Sequence, residues 1–157
     1  MPSSRLAKWW LVAALVIAVA AATILHLLPR SPKLCVSEQR TGNTYYCVPA
    51  TVGTRATLSW IHSIEHQPWT ETYVVTGKTL MLEEITMKSY GAGVPADPGG
   101  VTTIENGVIH VRQLHKEFPQ VRWIHSHDTH HEVRLGDHLI DTTDIPHHAF
   151  VELSIKE

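Results

Sequence analysis

The stretch that decides the fold is "RATLSWIHSIEHQPWTETYVVTGKTLMLEEITMKS", residues 55–89. It contains three short runs in which apolar and polar residues alternate, and this period of two is typical of half-buried β-strands. Gly77 and Lys78 stand between the second and third runs as a two-residue hairpin signal. The stretch therefore predicts three consecutive strands, the last two joined by a tight turn.

The same pattern continues on both sides of this stretch. Further predicted strands are "LCVSEQ", "TYYCV", "VTTIE", "VIHVRQ", "VRWIHS", "HLIDT" and "AFVELSI", with hairpin signals at "NG" (106–107) and "GD" (136–137). Apart from one helical turn in "LHKEFPQ", nothing after residue 34 indicates a helix, and "YGAGVPADPGG" (90–100) reads as a crossover loop. We predict an all-β domain, built as an antiparallel sandwich or a partly open barrel.

An apolar run precedes this domain. Arg5 and Lys8 stand before residues 9–28, which have the length that a helix needs to cross a bilayer. We predict a single-pass signal anchor or transmembrane segment over residues 1–33 and an extracytoplasmic β domain over residues 34–157, held at the cell membrane. Small residues at positions 18–22 leave open a cleaved signal and an exported protein.

The chain has two cysteines, Cys35 and Cys47. The turn signal at residues 41–43 places them roughly opposite each other in a hairpin, close enough for a cross-strand disulfide. Two unpaired cysteines, packed as small apolar residues, are the alternative. A disulfide would indicate an oxidising compartment.

Charge and histidine content limit the function classes. The formal net charge is −2 and no basic stripe occurs, so the chain has no signature of nucleic-acid binding. Seven of the twelve histidines lie between residues 125 and 148. His125 and His127 are two residues apart on a predicted strand and share a face, as two ligands of one metal ion would. His130 and His131 follow in a turn.

No sequence rule supplies the remaining ligands of such a metal, and the "HExxH" pattern is absent. We therefore predict that "HSHDTHH" ends a strand and forms an exposed, pH-responsive turn without a stoichiometric metal. A protein that uses these histidines to bind zinc or copper, as a chaperone or a sensor, is the alternative.

The segment "HSIEHQPWTE" is a second polar candidate. If the strands on either side form a hairpin, His62 and Glu71 lie near its mouth, where they would hydrogen-bond or share a cation. A solvated loop is the alternative. No "GxSxG" nucleophile motif occurs, so an uncharacterised hydrolase has no positive support, and we expect a protein that is not an enzyme.

Three segments resemble the DUF1850 family of small membrane-anchored proteins: "HSIEHQPWTETYVV", "SYGAGVP", and "GDHLIDTTDIP" with the later "AFVELSI". The most specific matches are His62, Ser63, Glu71, Gly91 and Gly93, which we take as the candidate binding site. The histidine-rich run over residues 125–131 is not part of the resemblance.

The resemblance carries no catalytic residues, because the family has no established activity. Its members often occur beside, or fused to, permeases of TRAP transporters of the TAXI class. This implies an accessory role in solute uptake, with the permease or its solute-binding protein as the partner. We therefore expect a non-enzymatic protein that presents a binding surface outside the membrane.

Overall fold

The computed structural model describes residues 4–27, 31–90 and 99–156. These residues form one helix and eleven strands. In chain order they are α1 (Ser4–Leu27), β1 (Lys33–Glu38), β2 (Thr44–Pro49), β3 (Arg55–Ile61), β4 (Pro68–Val75), β5 (Leu80–Met87), β6 (Val101–Glu105), β7 (Val108–Phe118), β8 (Gln120–Ile124), β9 (Glu132–Leu135), β10 (His138–Ile140) and β11 (Phe150–Lys156).

Helix α1 and the β-strands belong to two separate compact units. The sequence predicts a membrane span over residues 9–28. Among the residues that the structure describes, no helix is both long enough and apolar enough to cross a membrane.

The strands form two antiparallel sheets. The four-stranded sheet has the order β2-β1-β11-β8, and the seven-stranded sheet has the order β10-β9-β3-β4-β5-β7-β6. Strands β3, β4 and β5, which come from the stretch quoted first, lie side by side in the middle of the larger sheet. The prediction of an all-β antiparallel fold is confirmed.

One hydrophobic core collects side chains from both sheets. Leu34 and Val151 come from the smaller sheet, and Leu58 and Leu135 come from the larger one; all four are buried. Burying one such side chain contributes about 2 kcal/mol to stability. The sheets therefore pack face to face as an open sandwich, and they do not close into a barrel.

The predicted hairpin turns are present. Asn106 and Gly107 join β6 to β7, and both have positive φ angles (53° and 77°), as a type I′ turn requires. In the first hairpin, Cys35 lies directly opposite Cys47, and a disulfide joins them. Because β1 is flanked by β2 and β11, the disulfide ties the edge strand β2 to an inner strand.

Two local features of the fold differ from what the sequence indicated. The segment "LHKEFPQ" makes no helical turn, because β7 continues through it to Phe118 and pairs with β5. The strand bends there, since Gln113 and His115 have positive φ angles and the register with β5 shifts. Strand β9 was also missed, because its four residues are short and follow a polar segment; pairing with β3 holds it in the sheet.

Candidate functional site

Two connections build the histidine-rich region. Residues 125–131 lead from β8 in the smaller sheet to β9 in the larger one, and residues 141–149 return from β10 to β11. The two connections are held together by backbone hydrogen bonds: the His125 amide donates to the Ala149 carbonyl, and the His148 amide donates to the His125 carbonyl, both at 2.8 Å. Segments about twenty residues apart in sequence therefore meet at one edge of the sandwich.

His125 is buried, unlike the other histidines of these two connections. It follows β8 directly and continues the inward-facing positions of that strand, Val121 and Trp123. Its side chain is only 1% exposed, and neither ring nitrogen has a hydrogen-bond partner. Burial, together with the neighbouring imidazoles of His131, His127 and His147, lowers the pKa of His125 to about 4. A contact with the Thr142 backbone, which falls short of a hydrogen bond, opposes this shift. The ring is therefore neutral at pH 7.

Three further imidazoles surround it. The ring centroids of His127 and His131 lie 5.3 Å and 5.4 Å from that of His125. The ring of His147 lies 5.4 Å from that of His127, and its Nδ1 accepts a hydrogen bond from the His127 amide. We call His125, His127, His131 and His147 the histidine cluster. Burial also lowers the pKa of His131.

The histidine cluster borders an open cleft of about 660 Å³, a size within the usual range of ligand sites. Its walls combine imidazole, hydroxyl and carboxylate groups with two aliphatic side chains. The lining residues are His125, Ser126, His127, His130, His131, Glu132, Leu139, Ile140, Asp141, Thr142 and Thr143. We call this feature the histidine cleft.

The second candidate region centres on Glu71 in β4. Its two carboxylate oxygens accept hydrogen bonds from Trp69 Nε1 at 3.2 Å and from the Tyr73 hydroxyl at 2.5 Å. Burial raises the pKa of Glu71, and the two hydrogen bonds oppose that rise. Burial and the nearby Glu71 carboxylate raise the pKa of Tyr73 as well. Glu71 is thus a half-buried acid with a hydrogen-bond donor for each oxygen.

His62 makes no direct contact with Glu71 in the part of the chain that the structure describes. Its Nδ1 accepts a hydrogen bond from the Glu65 amide, and its ring packs 5.9 Å from that of Trp69. Trp69 therefore links His62 to Glu71. A crevice lined by His62 and Trp69 has a volume of about 10 Å³, which is room for one water molecule.

A row of aromatic rings connects the two regions. Trp69 packs against Trp60 at 5.9 Å, and Trp60 stacks on His131 at 6.0 Å. The ring of Trp123 also stacks on that of His131, with the centroids 6.5 Å apart. The Glu71 region and the histidine cluster, which are separate in sequence, are thus joined through packed rings.

Comparison with known proteins gives a family. A model of the DUF1850 family, described as a domain of unknown function, matches residues 56–141. The chain belongs to the DUF1850 family. No curated protein and no solved structure matches it. The DUF1850 match begins in β3 and ends just after β10, so it includes His62, Glu71 and the connection 125–131.

The predicted site residues of this DUF1850 chain are only partly brought together. His62 and Glu71 both contact Trp69, whereas Ser63 is exposed in the loop after β3. Gly91 and Gly93 lie outside the described residues. Among the four candidate metal ligands, His125, His127 and His131 form a cluster, and His130 is exposed. No group of His, Cys, Asp and Glu side chains within the described ranges is arranged to hold a metal ion.

The predicted exposed turn needs correction. "HSHDTHH" does end a strand and does contain a turn, but His125 is buried and His131 is half-buried. The error has a physical cause: the inward alternation of β8 continues for one residue beyond the strand. His147 was not among the candidates, because only the return connection from β10 to β11 brings it beside His127. A polar sequence between two strands carries no signal for either contact.

Proposed function

We propose that this chain is a non-enzymatic, extracytoplasmic accessory protein of a TRAP-type (TAXI) solute transporter. In this proposal, the histidine cleft is the surface that it presents to the permease or to the solute-binding protein. The observation that carries the proposal is the cleft itself: it is open, about 660 Å³ in volume, and formed by loops at one edge of a rigid sandwich. Binding residues often lie on such loops.

Two further observations support the proposal. The disulfide between Cys35 and Cys47 is of a kind that persists in oxidising compartments outside the cytoplasm. The chain belongs to the DUF1850 family, and the sequence resemblance to this family implies an association with TAXI permeases. A small domain held near a permease would raise the local concentration of its partner there.

Attachment to the membrane belongs to the same proposal and rests on the apolar sequence of residues 9–28. We expect the chain to stay in the membrane fraction after alkaline carbonate washing of cells that express it. Release into the wash would mean that it is held by a partner or exported instead. Release would therefore overturn the proposed membrane attachment. A cytoplasmic location would overturn the proposal as a whole.

Partner capture tests the cleft. After mild crosslinking in its native host, the tagged chain should co-purify with a permease or a solute-binding protein. Leu139→Arg places a charge on a half-exposed apolar residue of the cleft wall and should lower the yield of that partner at least tenfold. Val52→Arg is the matched control, because Val52 is also apolar and exposed but does not line the cleft. Equal yields from the two variants would contradict the proposal.

A further inference from the structure

His125 carries an inference that is independent of the transporter proposal. Buried polar atoms in folded proteins nearly always have a hydrogen-bond partner or a ligand. Both ring nitrogens of His125 are buried without a hydrogen-bond partner, although the residue lines an open cleft. A neutral imidazole offers a lone pair on one nitrogen, and it is the commonest side-chain ligand of zinc and related transition metals.

The hydrogen bonds of His127 prepare its ring as a ligand. Its Nε2 lies 2.9 Å from the carbonyl oxygen of Ile145, a residue that is fully buried. Because a carbonyl only accepts hydrogen bonds, Nε2 carries the proton and Nδ1 keeps its lone pair. Histidines that bind metals usually have their second nitrogen held in this way, by a carbonyl or a carboxylate.

His131 is held in the opposite tautomer. Its Nδ1 lies 2.9 Å from the hydroxyl oxygen of Thr129, and that hydroxyl donates to the carbonyl of Ser126 at 3.2 Å. Nδ1 of His131 also lies 3.2 Å from the Ser126 carbonyl oxygen, which only accepts, and 3.4 Å from the Ser126 amide nitrogen. The two shorter contacts, to Thr129 and to the carbonyl, assign the proton to Nδ1. The lone pair of His131 is then on Nε2. Both neighbours of His125 therefore have one nitrogen available.

The spacing of the rings fits a common ion. With zinc–nitrogen bonds of about 2.0–2.1 Å and tetrahedral angles, the centroids of two ligating imidazoles lie about 5.2 Å apart. The centroids of His127 and His131 are 5.3 Å and 5.4 Å from that of His125.

We propose that His125, His127 and His131 bind one transition-metal dication of the zinc class. Among the described residues, no three side chains are arranged to hold the ion. Binding therefore requires the rings of His127 and His131 to turn toward His125 about the nitrogens that their hydrogen bonds hold. His127 is exposed and His131 is half-buried, which leaves room for that rotation, whereas His125 is fixed in the core. The fourth coordination position faces the histidine cleft and is open to water or to an oxygen atom of a solute.

Calorimetric titration of zinc into the untagged, chelator-treated full chain tests the site. We expect one equivalent to bind with a Kd of about 1 µM or lower. His125→Leu should weaken binding about 100-fold or more. Thr129→Ala removes the nearest hydrogen-bond partner of His131 Nδ1 and leaves its contacts with Ser126, so it should weaken binding about tenfold. His66→Asn is the matched control: His66 is exposed outside the cluster, and Asn tolerates its positive φ angle.

Nitrogen-15 spectra of the imidazoles separate a built site from nonspecific surface binding. Zinc should shift Nδ1 of His127 and Nε2 of His131, and it should leave His130 unchanged. Urea unfolding of each variant shows whether a loss of affinity is a loss of folding. The proposal is overturned if no saturable equivalent binds, if folded His125→Leu keeps the affinity of the parent chain, or if His66→Asn loses binding to the same extent.

Discussion

Glu71 is half-buried and His125 is almost fully buried, and the surroundings of these two polar residues differ. Glu71 lies within an inner strand, and each of its oxygens accepts a hydrogen bond. His125 lies where a strand passes into a connection, and neither of its nitrogens has a partner. A satisfied buried group stabilises the fold, whereas an unsatisfied one costs stability unless a ligand compensates. The comparison favours a structural role for the Glu71 region, and it is the basis of the binding role that we propose for the histidine cluster.

The largest expected effect is on stability, when the hydrogen bonds to the Glu71 carboxylate are removed. Glu71→Leu leaves Tyr73 O–H and Trp69 N–H without acceptors, so it should lower the free energy of unfolding by about 2–4 kcal/mol. Glu71→Gln keeps an acceptor and adds a donor, and it should cost less than about 1 kcal/mol. Urea unfolding at pH 7 measures both. The control is Asp144→Ala, which removes an exposed carboxylate. If Glu71→Leu lowers the free energy of unfolding no more than this control does, Glu71 has no structural role.

In the histidine cluster, replacing the buried polar residue His125 by leucine should raise stability, whereas Glu71→Leu should lower it. In chelator-treated protein, His125→Leu removes a buried group without hydrogen bonds and replaces it with an apolar side chain of similar size. We expect the free energy of unfolding to rise by about 1–2 kcal/mol. If this variant is instead destabilised as strongly as Glu71→Leu, His125 is a satisfied structural residue and the contrast between the two regions disappears.

Acidification should also separate the two regions. His125 has a pKa of about 4 in the folded chain and about 6.5 when unfolded, so between these values the unfolded chain binds more protons. Folding stability should therefore fall as the pH drops from about 6.5 to about 4. The His131 pKa is lowered too and acts in the same direction. Glu71 has a raised pKa and acts oppositely, since its folded form takes up a proton more readily.

We compare the unfolding free energies of the parent chain and of His125→Leu at pH 7 and pH 5, both without metal. Between pH 7 and pH 5, the free energy of unfolding of the parent should fall by about 1 kcal/mol more than that of the variant, because only the parent has His125. The difference is kept this small because solvent in the cleft screens part of the effect. Identical pH profiles would show that His125 does not titrate as described.

The smallest effect concerns the ring that links the two regions. Trp69→Phe keeps an aromatic side chain beside Trp60 but removes the hydrogen bond to Glu71, while the bond from Tyr73 remains. We expect a loss of about 1 kcal/mol in urea unfolding and no change in the affinity for zinc. A tenfold or larger change in that affinity would mean that the two regions are coupled and are not separate in function.

The local features of the fold could be predicted from the sequence. Alternating residues placed β3, β4 and β5, and the "NG" and "GD" pairs placed two hairpin turns, because side-chain direction and backbone φ are set within a few residues. The opposition of Cys35 and Cys47 follows from the same local geometry. These features depend on near neighbours in the chain, which a single sequence contains.

The candidate site depended on the tertiary structure. Only the two connections between the sheets bring His147 beside His127, and only packing against the core makes His125 a buried, unpartnered ring. In the same way, Trp60 joins His131 to Trp69 because β3 lies between β4 and β9 in the larger sheet. The histidines and their number were determined by the sequence. Their burial, spacing and hydrogen bonds were decided by contacts between segments far apart in the chain, which no local pattern records.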